Sequence, residues 1–340
     1  MYKSTDRTAN HYPSVWGEIE RVDERPLWGE MGHISQPVSI FNSMITAIKK
    51  LNFVSILFSL FILIGGGGSS SPAVSAPANK PSTAQANVSL LAEKLAIPGL
   101  SRTRQIRIYV PPNYANSDKR YPVLYMHDAQ NLFDSATAYA GEWNVDETMN
   151  ALSKAGKLEL IVVGIDNGES KRMTELNPWS NAQFGAGEGK EYVEFIVNIV
   201  KPLIDKQYRS KPDRINTAIM GSSMGGLISQ YAINQYPHIF SKAGIYSPAY
   251  WTANESIPFI ASTPAAKDAR LYLATGEKEG GSQVPDVQRA YATIIQAGHP
   301  TKNVSLKIVA GAEHNEKFWS GDFENAVLWL FAAEQVSATK

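Results

Sequence analysis

From Val88 onward the chain alternates between two arrangements of apolar residues. One is a short continuous run: Gln105 to Val110, Val123 to His127, Leu158 to Ile165, Thr217 to Gly221, Ala243 to Tyr246, Leu271 to Thr275 and Val304 to Val309. Runs of that length, rich in β-branched and aromatic residues, predict strands. The other is an apolar stripe at helical spacing: Val145 to Lys154, Tyr192 to Gln207, Leu227 to Asn234, Val287 to Ala297 and Phe323 to Ala333. Strands without polar alternation, separated by amphipathic helices, predict an α/β fold with a mainly parallel sheet covered on both faces. Residues 88–340 form one such unit, and no repeat appears at solenoid periods. The stretch Asn167 to Gly189, rich in Gly, Asn and Ser, predicts a long loop. Loops of that length are usually functional or disordered.

The chain before this unit is patterned differently. Residues 1–43 are of mixed polarity with Pro13, Pro26 and Pro37, which predicts disorder or an over-long gene start. In residues 44–76, Lys49-Lys50 precede the apolar run Leu51 to Ile64, followed by four glycines and a Ser/Pro/Ala tail. That is the layout of a secretory signal, with Val74-Ser75-Ala76 as a cleavage site. The run is short for a membrane helix, which needs roughly 20 residues; an uncleaved short anchor is the alternative. Leu63-Ile64-Gly65-Gly66 resembles a lipoprotein box, but Gly66 stands where the cysteine must be. The expectation is export to the periplasm or the medium, with residues 77–87 as a linker.

Composition narrows the function mainly by exclusion. Lys+Arg and Asp+Glu both number 32, so no basic face for a nucleic acid is implied. Cysteine is absent, which excludes disulfides, a thiolate nucleophile and cysteine metal ligands. Nothing calls for a cofactor. His127-Asp128 could begin a metal pair, but no further ligand follows at sensible spacing. Asp128 is expected instead to hold its loop by hydrogen bonds.

The chemistry centres on Gly221-Ser222-Ser223-Met224-Gly225, a G-x-S-x-G sequence between the strand Thr217 to Gly221 and a helix. A bare match can be a glycine-rich turn. Strand before and helix after select a nucleophile elbow, in which small residues two before and two after let strand and helix close up. Ser223 is then the nucleophile, at a helix start whose N–H groups face a developing oxyanion. A serine needs a base. His238 and His299 fall at the wrong ends of their helices, and His127 precedes the serine. His314 follows the strand Val304 to Val309, at a carboxyl end where ligands gather in open sheets. The acid should fall between serine and histidine. Glu277, Glu279 and, more distantly, Asp286 qualify; Glu279 is favoured because Gly280-Gly281 after it allow a bend. For the oxyanion hole, the expected donors are the backbone N–H of Met224 and one from the loop after Val123 to Met126, with Gln130 preferred over Ala129.

The segments MHDAQNLFD, GSSMGG and GAEHNEKFW together resemble the putative-esterase family of α/β hydrolases, which includes enterochelin-esterase-like, esterase-D-like, feruloyl and acetyl-xylan esterases and mycolyltransferases. The resemblance runs from about Val88 to the C-terminus. It implies an α/β-hydrolase fold, Ser223 as nucleophile, His314 as base, Glu279 as acid, and Met224 and Gln130 as oxyanion donors. Two departures stand out. The family's acid is commonly Asp, and a His-Gly pair commonly precedes the oxyanion loop where this chain has His127-Asp128-Ala129. Arg172, Trp143, Trp179, Trp251 and Trp319 fall in loops expected to rim the site. Arg172 could hold an anionic group and the tryptophans a sugar or phenolic ring. No large cap insertion is visible, so an open cleft for a small-molecule or polysaccharide-linked ester is expected, with a membrane involved only through an uncleaved anchor. Acyl transfer to a sugar hydroxyl and a catalytically inactive binding protein on the same fold are the alternatives.

Overall fold

A computed structural model describes residues 80–332. The leader, and the end of the helix expected to run to Ala333, lie outside the described residues. Ten strands are described: β1 Val88–Leu90, β2 Leu95–Ile97, β3 Arg102–Arg104, β4 Ile106–Tyr109, β5 Val123–His127, β6 Ile161–Ile165, β7 Thr217–Ser222, β8 Lys242–Tyr246, β9 Arg270–Gly276 and β10 Val304–Val309. Eight of them form one sheet in the order β1-β4-β6-β5-β7-β8-β9-β10, and β2 and β3 pair as a small hairpin. From β6 to β10 all pairings are parallel. β4 and β1 close the other edge antiparallel.

The unbroken apolar runs have a direct cause. Every residue of β5, β6, β7 and β8 is buried, because helices cover both faces. Alternate residues feed separate cores. Val123, Tyr125, Ile219, Ile245 and Leu273 pack on one side against 189–207, α3 (Met224–Gln235) and α5 (Gln283–Gln296). Leu124, Met126, Met220, Tyr246 and Ala274 pack on the other against α1 (Val145–Lys154) and α6 (Glu316–Phe331). Each such Val, Leu, Ile or Met side chain contributes about 1.5–3 kcal/mol by leaving water. Helix α3 is buried along all but Gln235, so it is apolar all round rather than striped.

Several elements differ from expectation for identifiable reasons. Segment 189–207, which contains α2 (Gly189–Phe195), is helical throughout but passes through a π turn at Ile196–Val200. Pro202 lacks an N–H and its ring crowds the carbonyl four residues back, and a π turn relieves both. α6 starts at Glu316, seven residues before the apolar stripe suggests, because the Asn315 side chain accepts from Phe318 N–H and caps it. α4 (Ser256–Ser262), with Pro258 near its start, has no counterpart among the expected helices. The expected loop Asn167–Gly189 contains a helical turn, Arg172–Glu175. Its buried Glu175 is gripped by Arg104 and lies 3.3 Å from Arg102. The last residues of the expected linker are also tied down: Ser82 and Thr83 donate to Asp134, and Gln85 N–H donates to Asp146. Among the described residues, no helix is long and apolar enough to cross a membrane.

Helix α3 lies so close to strands β7 and β8 that only glycine fits. A Cβ on Gly221 would stand 2.8 Å from the Gly225 carbonyl carbon, and one on Gly226 would stand 2.5 Å from the Tyr246 carbonyl oxygen. Both obstacles are backbone and cannot swing aside. Gly226→Ala is therefore expected to destabilise the protein by about 1–3 kcal/mol, as overpacking does; urea unfolding of variant and parent checks it.

Candidate active site

The site is assembled at the carboxyl ends of β5, β7, β9 and β10. Ser223 follows β7 directly and adopts φ 57°, ψ −120°. For a residue with a side chain this costs about 1–3 kcal/mol and persists only where the surroundings impose it. They do so here through three bonds. Ser223 N–H donates to Tyr246 O at 2.9 Å, and Ser223 O accepts from Leu227 and Ala249 N–H, each at 3.0 Å. Met224 opens α3, so its N–H has no partner within the helix.

Glu279 and His314 come from the neighbouring turns after β9 and β10. His314 Nδ1 lies 2.8 Å from Glu279 Oε2. The other carboxylate oxygen accepts from Ser247 Oγ and from Gly276 N–H, both at 2.6 Å. Burial alone would raise the Glu279 carboxyl, but the bonds from His314, Ser247 and Gly276 outweigh it and hold it below the usual range. An ionised carboxylate only accepts, so Nδ1 carries the imidazole proton and Nε2 is left as the acceptor. Gly280 and Gly281 follow at φ 74° and 54°, the left-handed bend that lets the chain turn after Glu279. The competing acids are engaged elsewhere. Glu277 accepts from Gly311 N–H, and Asp286 pairs with Ser282 and Arg289.

Ser223 and His314 open onto one cavity of about 200 Å³, with Trp143, Trp319, Arg172 and Tyr139 in its wall. A second, more open hollow of about 390 Å³ shares His314 and is bounded by Trp251 and Gly280-Gly281. A third hollow, about 570 Å³ between β10 and α6, contains neither Ser223 nor His314.

The loop after β5 begins with Asp128 in the left-handed region, φ 57°, and turns through Ala129–Asn131. Within that turn the backbone bonds start at Asn131 N–H, which leaves the N–H groups of Ala129 and Gln130 outside it. The Gln130 side chain is engaged with Asn167, accepting from its N–H at 3.0 Å. Asp128 holds the loop in place. It accepts from Arg172 Nε at 2.6 Å and a terminal Arg172 nitrogen at 2.9 Å, and from Asn167 Nδ2 at 2.7 Å. Burial would raise the Asp128 carboxyl, but the guanidinium and Asn167 keep it low. His127 is buried, with Nδ1 2.8 Å from the Tyr192 hydroxyl. Burial lowers its pKa to about 4, so it stays neutral.

The rim residues divide. Trp143 is buried in the cavity wall, edge-on to Tyr246 at 5.5 Å. Arg172 is in the wall as well; its Nε and one terminal nitrogen donate to Asp128, so its charge is already paired before any ligand arrives. Trp251 is 55% exposed beside the open hollow. Trp179 does not belong to either hollow; it packs edge-on against Tyr231 and Phe259 and serves the core, contrary to its expected place on the rim. Two further residues belong to the site. Ser247, at φ 42°, links Glu279 to Trp319 Nε1, which donates to its hydroxyl at 2.9 Å. Its signal was available: Ser247-Pro248 sits at the carboxyl end of an apolar run. Glu316, two residues after His314, is a buried cavity-wall carboxyl; burial raises it, and its Oε1 accepts from Asn131 at 3.2 Å.

Comparison with known proteins bears on the family and the fold. The family model described as putative esterase matches residues 97–330. The uncharacterized protein YbbA of Bacillus subtilis (strain 168) is 27% identical over 241 residues, covering 67% of this chain and 92% of that one. The endo-1,4-beta-xylanase/feruloyl esterase of Xylanibacter ruminicola is 22% identical over 66% of this chain, which spans only 29% of that protein. Among solved structures, the enterobactin esterase FES of Shigella flexneri in the presence of enterobactin superposes with a TM-score of 0.60 at 16% identity. That match covers 74% of this chain and 60% of that one, and at such identity it speaks for the fold alone.

The Asp128–Arg172 pair carries a stability prediction. Removing one partner of a buried pair leaves the other uncompensated, at about 3–5 kcal/mol. Arg172→Ala should cost about that much in urea unfolding at pH 7. Asp128 is lowered in the folded state, so the pair's contribution is present above the ordinary carboxylate range and lost as pH falls through its lowered value. The gap between variant and parent should therefore narrow in acid.

Proposed function

Since the chain belongs to the putative esterase family, we propose that its ester-hydrolase chemistry is serine-dependent and passes through an acyl-enzyme at Ser223. The observation that carries this reading is the 2.8 Å contact of Glu279 with His314 Nδ1, on a cavity that His314 shares with Ser223. With Nδ1–H directed at the carboxylate, Nε2 is free to take the Ser223 Oγ proton as the oxygen attacks the ester carbonyl. The N–H groups of Met224 and Gln130 then receive the oxyanion. Collapse expels the alcohol, which takes its proton from the imidazolium. Water, deprotonated by the same nitrogen, releases the acid. Glu279 keeps the imidazole oriented and stabilises its cation without itself accepting the proton.

The two hollows suggest how an ester would lie. The tight cavity walled by Trp143 and Trp319 suits a small or planar acyl group, and the open hollow beside Trp251 suits a bulkier alcohol. Feruloyl, catecholate-siderophore and acetyl-sugar esters fit that division. Two of the compared proteins are named for feruloyl and enterobactin esters. The secretory pattern of residues 44–76 supports a location in the periplasm or outside the cell.

Ser223→Ala should abolish hydrolysis of p-nitrophenyl acetate while circular dichroism stays unchanged; turnover at the parent rate in a folded variant would exclude the serine mechanism. Ser247→Ala removes one of the bonds that fix Glu279. It should lower kcat about tenfold, equivalent to about 1.4 kcal/mol, with KM little changed. Steady-state kinetics on the same substrate measure both.

A further inference from the structure

The strongest unassigned feature lies beside the Trp143 loop. The carboxylates of Glu142, Asp146 and Glu147 converge, with one oxygen from each lying within 4.8 Å of the others. Asp146 is fully buried, and its Oδ1 has no hydrogen-bond partner among the described residues. Glu147 Oε2 is likewise buried and unpartnered. A buried carboxylate oxygen without a donor is costly. Two in contact with a third carboxylate are costlier still, because like charges repel. No lysine or arginine among the described residues pairs with any of the three. Asp146 and Glu147 stand in the first turn of α1. The helix dipole offsets only roughly half a charge there.

We propose that Glu142, Asp146 and Glu147 hold a calcium ion, with Asp146 Oδ1 and Glu147 Oε2 as the buried ligands. The donor set is all oxygen, which suits a hard cation rather than zinc or copper. Two oxygens on opposite sides of calcium stand about 4.6–5.2 Å apart, from bond lengths of about 2.3–2.6 Å. Around magnesium the same separation is about 4.0–4.2 Å. Oxygens within 4.8 Å of one another are compatible with either ion, and calcium is favoured because its shell tolerates an irregular donor set whereas magnesium demands near-ideal octahedral geometry. The remaining positions go to water, as calcium's flexible shell allows.

The ion would fasten two segments at once. Residues 83–85 already lie over the cluster. Thr83 Oγ1 donates to both Glu142 oxygens at 2.8 and 3.0 Å, and Gln85 donates to Asp146 Oδ2 at 2.8 Å and Glu147 Oε1 at 3.2 Å. Glu142 also directly precedes Trp143 of the cavity wall. Calcium binding is therefore expected to stiffen both the arm before β1 and the loop that carries Trp143.

The test is isothermal titration of the purified, EDTA-dialysed protein with CaCl2, with MgCl2 as a second arm. The expected result is one saturable site that prefers calcium. Melting temperature should rise by about 5 °C at a hundredfold excess over Kd. Asp146→Asn and the partly buried Glu142→Gln should each weaken binding at least tenfold. Circular dichroism confirms that the variants are folded, and the milder Glu142→Gln guards against loss of the fold. No saturable binding to the parent up to about 5 mM, beyond the range of about 0.1–1 mM typical of extracellular calcium modules, would overturn the proposal. So would parent-like affinity in a folded variant.

Discussion

The structure depends on how closely strand β7 and helix α3 approach at Ser223. The backbone there is held in a conformation that a side-chain-bearing residue avoids, by bonds from the neighbouring strand and from the turn after it. Gly221 lacks the Cβ that would strike Gly225 of α3, Gly226 the one that would strike Tyr246 at the end of β8, and Gly225 the one that would crowd His127 and Asp128. The strain is sustained because α3 is buried along nearly its whole length and packs against β7 and β8. Relaxing the turn would mean displacing a central helix. Local strain at one residue is thus balanced by a large apolar contact elsewhere, which is how such conformations persist.

Around that turn, charges set the loops. Arg172 and Asn167 converge on Asp128, and Gln130 on Asn167, so the loop after β5 and the one after β6 form one hydrogen-bonded unit. On the other side of the cavity, Glu279 receives three donors from three different segments. Neither carboxylate lacks a partner, which is what permits each to stay ionised while buried. The left-handed conformations of Asp128 and Ser247 belong to the same arrangement, since each turns the chain at the end of a strand.

Much of this was legible in the sequence. Strands buried on both faces announce themselves as continuous apolar runs, and Val123–His127 and Val145–Lys154 have the expected limits. Gly280-Gly281 marked which glutamate could bend back, and Glu279 is the one beside His314. The misses have physical causes. β1, β2 and β3 are three residues each and partly exposed, so they carry no apolar run. Trp179 in a polar loop gives no sign that its ring turns inward to Phe259. Arg172 and Asp128 are 44 residues apart, and nothing local says that each satisfies the other. Long-range pairing of charges is the part that a single sequence leaves open.

Trp319 has a consequence for how such a site can change. Its ring forms cavity wall and stands edge-on to His314 at 5.0 Å, while its indole N–H holds the Ser247 hydroxyl that bonds Glu279. A smaller residue here would widen the space for ligand and, in the same stroke, free the Ser247 hydroxyl, one of the three donors to the carboxylate that orients the imidazole. Chamber size and the alignment of the imidazole cannot drift apart independently. Diversification of this scaffold toward larger acyl groups would have to begin on another wall.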